Sequence, residues 1–117
     1  MVKLGYDAER ERQLQLQSEG YHVVRCSGSI GALDLVCIKY IDIGFVVFYE
    51  QVKSTKDKTF YFNKQSRWEL ERLKEIESKF HIPCFFSIKF KRKGWKFMDV
   101  NKIDGKPIKF IDKDAEV

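Results

Sequence analysis

The spacing of apolar and polar positions along this chain changes period several times, and each change marks an element. Residues 6–19, "YDAERERQLQLQSE", are rich in helix formers and stop at Gly20, which predicts a first helix. Its apolar face is thin, because Leu14 and Leu16 alternate with Gln13, Gln15 and Gln17 in a strand-like way. "YHVVRC" at 21–26 is β-rich and enters "CSGSIGA", a small, glycine-punctuated segment expected to be a mobile loop. "LDLVCIKY" and "FVVFYEQVKS" flank "IDIG", predicting a β-hairpin. A short strand is expected at 60–63, then an amphipathic helix over 65–80 with Trp68, Leu73, Ile76 and Phe80 on its apolar face. Pro83 breaks the chain. "CFFSIKFK" and "WKFMDV" read as strands joined by the basic turn "KRKG", and "GKPIKFIDKDAEV" as a short strand and fraying tail.

Those elements amount to one α/β domain over residues 1–117, long enough for a single core. With 44% hydrophobic and 15% aromatic residues the chain fits a globular class, neither disordered nor membrane-spanning. Its formal charge of +5 favours a polyanionic partner without specifying one. Cys26, Cys37 and Cys84 are odd in number, widely spaced and set in apolar runs. They suit reduced core thiols and an intracellular setting, with neither a disulfide framework nor a zinc site. The longest apolar run is too short to span a bilayer, and no export signal is visible.

The chemistry concentrates in "FYEQVKST" at 48–55. Side chains alternate across a strand, so Gln51 shares a face with Lys53 while Glu50 points the other way; a bulge would exchange the two. On the partner strand, Asp34 lies within "ALDLVCI", where an unpaired carboxylate would cost several kcal/mol or shift its pKa. An acid on one strand, a Q/E-x-K on the next and a helix glutamate meet the needs of metal-assisted phosphodiester hydrolysis. Hard oxygens hold Mg²⁺, and a lysine orients the attacking water or stabilises transition-state charge. The plain alternative is an Asp–Lys ion pair on a sheet face.

Over roughly residues 5–100 the order of motifs resembles the PD-(D/E)XK nucleases and, within them, the archaeal-type Holliday-junction resolvases. "GYDAERE" with "EGYHVVR" is similar to that family's glutamate helix and following strand. "CSGSIGALDLV" is similar to its serine loop and Pro-Asp strand, "EQVKS" to its Glu-x-Lys-Ser, and "YFNKQSRWELERL" through "FFSIKFKRKGW" to its second helix, next strand and tryptophan. The resemblance implies a restriction-endonuclease-like fold, a central mixed β-sheet flanked by helices. It implies a metal-dependent, structure-selective endonuclease acting as a homodimer on branched double-stranded DNA, nicking symmetric strands of four-way junctions. Another PD-(D/E)XK DNA endonuclease of restriction or transposition type, or an inactive DNA-binding relative, would share the pattern.

Carried over by position, Glu9 is the helix carboxylate, Asp34 the central metal ligand, Gln51 the ligand usually supplied by glutamate, and Lys53 the catalytic lysine. Val52 offers a backbone carbonyl to Mg²⁺, for which Mn²⁺ is the expected substitute. Ser27 and Ser29 match loop serines that approach the scissile strand, Ser29 as a catalytic candidate, and Tyr61 matches a supporting aromatic. Arg25, Lys56, Lys58, Lys64 and Arg67 are the expected phosphate contacts, with Lys91, Arg92, Lys93 and Lys96 flanking them. Leu33 stands where the family has proline, and Arg12 and Gln13 where its helix is apolar, which leaves Glu11 open beside Glu9. About 200° of helix separates those two glutamates. Gln51 is the main departure: its amide oxygen ligates without charge.

Overall fold

The computed structural model describes residues 4–26 and 32–111, the side chains from residue 7 onward. The order is α1 (Leu4–Ser18), β1 (His22–Arg25), β2 (Leu35–Ile41), β3 (Gly44–Thr55), β4 (Thr59–Phe60), α2 (Lys64–Phe80), β5 (Cys84–Phe90), β6 (Gly94–Asp99), a 3₁₀ turn (Val100–Lys102) and β7 (Ile108–Lys109). The main sheet runs β1-β2-β3-β5-β6. Only β3 and β5 are parallel, joined by the crossover through α2; the other pairs are antiparallel. The segment expected as a strand at 60–63 is shorter than predicted. Its strand is Thr59–Phe60, paired with β7, while Asn63 leaves the strand to cap α2.

Alternation along the central strands divides the core in two. Phe86, Ile88 and Phe90 of β5 pack with Leu70 and Leu73 of α2 and with Phe60, Phe62 and Val100 on one face. Val52, Leu35, Cys37 and Val23 pack with Ala8 and Leu16 of α1 on the other. The cysteines are free thiols, Cys37 and Cys84 buried and Cys26 half-buried.

α2 starts where Asn63 accepts from the Ser66 N–H while the Ser66 hydroxyl accepts from the Asn63 N–H, a reciprocal cap. It ends at His81, which adopts the left-handed conformation with φ 59° two residues before Pro83. Its buried face is Ser66, Glu69, Leu70 and Leu73. Trp68 and Phe80, expected on that face, are instead 47% and 59% exposed. Trp68 falls roughly 150° from the centre of the buried stripe at 100° per residue, and Phe80 is the last residue of the helix.

α1 explains how a thin apolar face can pack. Ala8, Arg12 and Leu16 form an i, i+4 stripe against the sheet, while Leu14 is exposed. Arg12 sits where an apolar residue would serve. Its Nε and Nη2 donate to Oε1 and Oε2 of Glu50 at 2.9 and 2.8 Å, and the Ser87 hydroxyl donates to Glu50 Oε1 at 2.6 Å. The Arg12 guanidinium also lies 4.2 Å from the centre of the Phe97 ring. A bidentate, fully hydrogen-bonded pair of this kind is what permits the 2%-exposed Glu50 carboxylate beneath the helix.

Candidate active site

The hairpin register decides which β3 side chains meet. β2 and β3 pair without interruption from Ile41↔Gly44 to Leu35↔Glu50, and β3 pairs β5 from Tyr49↔Cys84 to Thr55↔Phe90. No bulge intervenes in either ladder. Glu50 therefore faces α1, where Arg12 holds it, and Gln51 and Lys53 share the α2 face. Asp34 stands immediately before β2. Its N–H donates to the Glu50 carbonyl at 2.8 Å, and its own carbonyl accepts from the Cys26 N–H at 2.8 Å. These bonds tie the residue to β3 on one side and to the end of β1 on the other.

The Asp34 carboxylate then serves the part of β3 that β2 leaves uncovered. Oδ2 accepts from the Val52 N–H at 2.9 Å and from Gln51 Nε2 at 3.0 Å. A strand residue directs its N–H and C=O to the same edge, so the Val52 carbonyl also faces the opening beside Asp34. Gln51 is 4% exposed, and among the described residues its buried Oε1 has no hydrogen-bond partner. Asp34 fixes the orientation of this amide: turned over, it would set oxygen against oxygen.

Burial pushes the Asp34 carboxyl up to about 6. The Val52 N–H opposes that shift, Glu9 adds to it, Lys53 opposes it and Glu69 adds to it. These influences place two further carboxylates within electrostatic reach. Glu9 comes from α1, where its Oε1 accepts from Arg25 Nε at 3.0 Å. Glu11 leaves in another direction: it accepts from Lys89 Nζ at 2.6 Å and Trp95 Nε1 at 2.7 Å, above β5 and β6. Of the two helix glutamates, Glu9 is the one brought toward Asp34.

Glu69 was not among the residues the sequence singled out. It is 7% exposed on the inner face of α2, with Oε1 2.5 Å from Lys53 Nζ. Gln65 Nε2 donates to its Oε2 at 3.4 Å. The signal was present in the spacing 66, 69, 70, 73, which sets a glutamate on a stripe otherwise suited to apolar residues.

Around the cluster, Lys56 and Lys58 are exposed in the turn after β3, and Lys64 and Arg67 on the first turn of α2. The exposed turn Lys91–Lys93 lies beside them, since the Lys91 N–H donates to the Thr55 carbonyl. Arg25 is half-buried and ion-paired with Glu9. Tyr61 is 65% exposed. Ser27 and Ser29 lie outside the described residues.

The donors fit a small, hard divalent cation. An acid, a buried amide oxygen with no partner and a strand carbonyl at an open edge are oxygen ligands that leave positions for water, as Mg²⁺ prefers. Among the described residues no three His, Cys, Asp or Glu side chains gather into a preformed cage.

A mixed five-stranded sheet flanked by two helices is the restriction-endonuclease-like fold, and it sets Asp34, just before β2, beside Gln51 of β3. The model of the archaeal Holliday junction resolvase (Hjc) family matches residues 1–116. The chain belongs to that family of structure-selective, junction-resolving nucleases, which hydrolyse DNA. Among solved structures it is similar in fold to the Hjc Holliday junction resolvase of Archaeoglobus fulgidus, at 23% identity and a TM-score of 0.68. The likeness covers 97% of this chain and 87% of that one.

Proposed function

We propose that this chain, as a single nuclease domain, is a Mg²⁺-dependent endodeoxyribonuclease that nicks symmetric strands of four-way DNA junctions as a homodimer. The observation that carries the reading is that Asp34 lies beside the end of β3 that β2 leaves uncovered, where Gln51, whose oxygen has no partner among the described residues, and Lys53 share a face. Asp34, Gln51 Oε1 and the Val52 carbonyl would hold Mg²⁺, with Mn²⁺ as substitute, and Glu9 would reach it from α1. Bound there, the cation would polarise the scissile phosphate and acidify a water.

The remaining work falls to the chain's own groups. Lys53, held by Glu69, presents a fixed ammonium where charge develops on the phosphoryl oxygens. Gln51 Nε2 and the Val52 N–H orient the Asp34 carboxylate. Lys56, Lys58, Lys64 and Arg67, with Arg25, Ser27 and Ser29, grip the backbone and read junction shape without reading bases. Two copies are required because a junction is resolved by paired nicks. Exposed Tyr40, Ile43 and Phe45 on the hairpin and Trp68 on α2 offer apolar area for pairing. No helix among the described residues is long and apolar enough to cross a membrane, and we place the protein inside the cell with its DNA.

The test is a gel assay of nicking on a fixed four-way junction and a matched linear duplex, with Mg²⁺, with Mn²⁺ and with chelator. Paired, metal-dependent nicks confined to the junction are expected. A junction that is retarded but uncut in both metals would make this a binding protein that has kept the fold and lost the chemistry. Equal cutting of the linear duplex would make it an endonuclease of another substrate class.

A further inference from the structure

We propose that Glu69 of α2 is the second acidic ligand of the divalent cation at this site, supplying from a helix the charge that Gln51 of β3 does not carry. The inference rests on the metal-site reading above and deepens it.

The first argument is charge. Asp34 and Lys53 cancel and Gln51 is neutral, while Glu9 is matched by Arg25. Without Glu69 the pocket would present no net attraction to a dication. With it the pocket is acidic, in a setting where burial strengthens the interaction. The second argument is placement. Lys53 lies two residues beyond Gln51 on the same face of β3, about 7 Å along the strand. Glu69 contacts the Lys53 ammonium at 2.5 Å, which brings the helix carboxylate to that face.

The third argument is independent of both. Among the described residues no donor meets the buried Gln51 oxygen, and only the Lys53 ammonium meets Glu69 Oε1. A buried amide oxygen with no partner is costly unless a ligand meets it. The influence of Glu69 on the Asp34 carboxyl agrees with their sharing one pocket.

The experiment is Mn²⁺ titration of the DNA-free full chain by calorimetry, for wild type, Glu69→Gln, Gln51→Glu, the double variant Glu69→Gln/Gln51→Glu, and Asp34→Asn. Glu69→Gln should weaken Mn²⁺ binding by at least about tenfold, and the double variant should return it to within about threefold of wild type. Wild-type affinity in Glu69→Gln, with binding lost in Asp34→Asn, would overturn the proposal and leave Glu69 as a partner of Lys53 alone. Unchanged binding in Asp34→Asn would instead overturn the site reading itself. If Glu69→Gln does not fold, Glu69→Asp replaces it, since it keeps the charge one methylene short. A folded Glu69→Asp with undiminished affinity would likewise overturn the proposal.

Discussion

Asp34→Asn should make the metal-free protein more stable while destroying its activity. The wild-type carboxyl is displaced by burial from 3.8 to about 6. A raised carboxyl pKa means that the folded state holds the proton more tightly than the unfolded chain does. Stability is therefore greatest at low pH for this group and falls as pH rises from about 4 to about 6, where the folded state must accept the charge. A displacement of about two units corresponds to a ceiling of about 3 kcal/mol above that window. Asparagine keeps the acceptor for the Val52 N–H and the Gln51 amide but carries no charge. At pH 8 in chelator the variant should gain roughly 2–3 kcal/mol, a melting temperature higher by about 10 °C for a domain of this size. Near pH 4.5 most of the difference should vanish, because wild-type Asp34 is then protonated. Paired urea or thermal melts at the two pH values measure it. An equal loss of stability at both would refute the reasoning and show the carboxylate to be a stabilising ion-pair partner.

Lys53→Met should abolish nicking while leaving junction binding within a few-fold in a gel-shift assay, since the proposed phosphate contacts lie on other residues. Loss of both together would point to a structural ion pair with Glu69. Gln51→Glu should cut at least as well as wild type, with the gain largest at limiting Mg²⁺; complete inactivity would mean the register has been misread. Arg12→Met strands the Glu50 carboxylate beneath α1 and should cost about 3–5 kcal/mol in urea melts, and adding Glu50→Gln should recover most of it. Each of Lys56, Lys58 and Lys64 changed to Gln should lower the slope of log affinity against log salt by about 0.9, and a residue whose loss leaves the slope unchanged makes no phosphate contact.

The elements themselves were legible because local chemistry and period agreed. "YIDIGF" permits little but a tight hairpin between β-rich runs, and the Asn63–Ser66 cap and Pro83 bound α2 in sequence terms alone. Strand alternation likewise fixed that Gln51, and not Glu50, shares a face with Lys53, since that parity is a property of the backbone. The apolar faces were harder to read. Trp68 and Phe80 are as hydrophobic as Leu73 but lie off the contact or at the helix end, which depends on where the sheet stops.

What the sequence determined by itself was the order of elements and, through the order of its motifs, the fold class, together with the shared face of Gln51 and Lys53, which strand alternation fixes. Tertiary structure alone decided three things. It turned Glu9 toward Asp34 and gave Glu11 to Lys89 and Trp95, through contacts with strands more than 70 residues away. It put Arg12 under the helix by supplying Glu50 and Ser87 as partners. It set Glu69 against Lys53, across a crossover whose packing no local pattern encodes. In each case a charged side chain could be solvated or buried with equal local propriety, and only the partner delivered by the fold settles which.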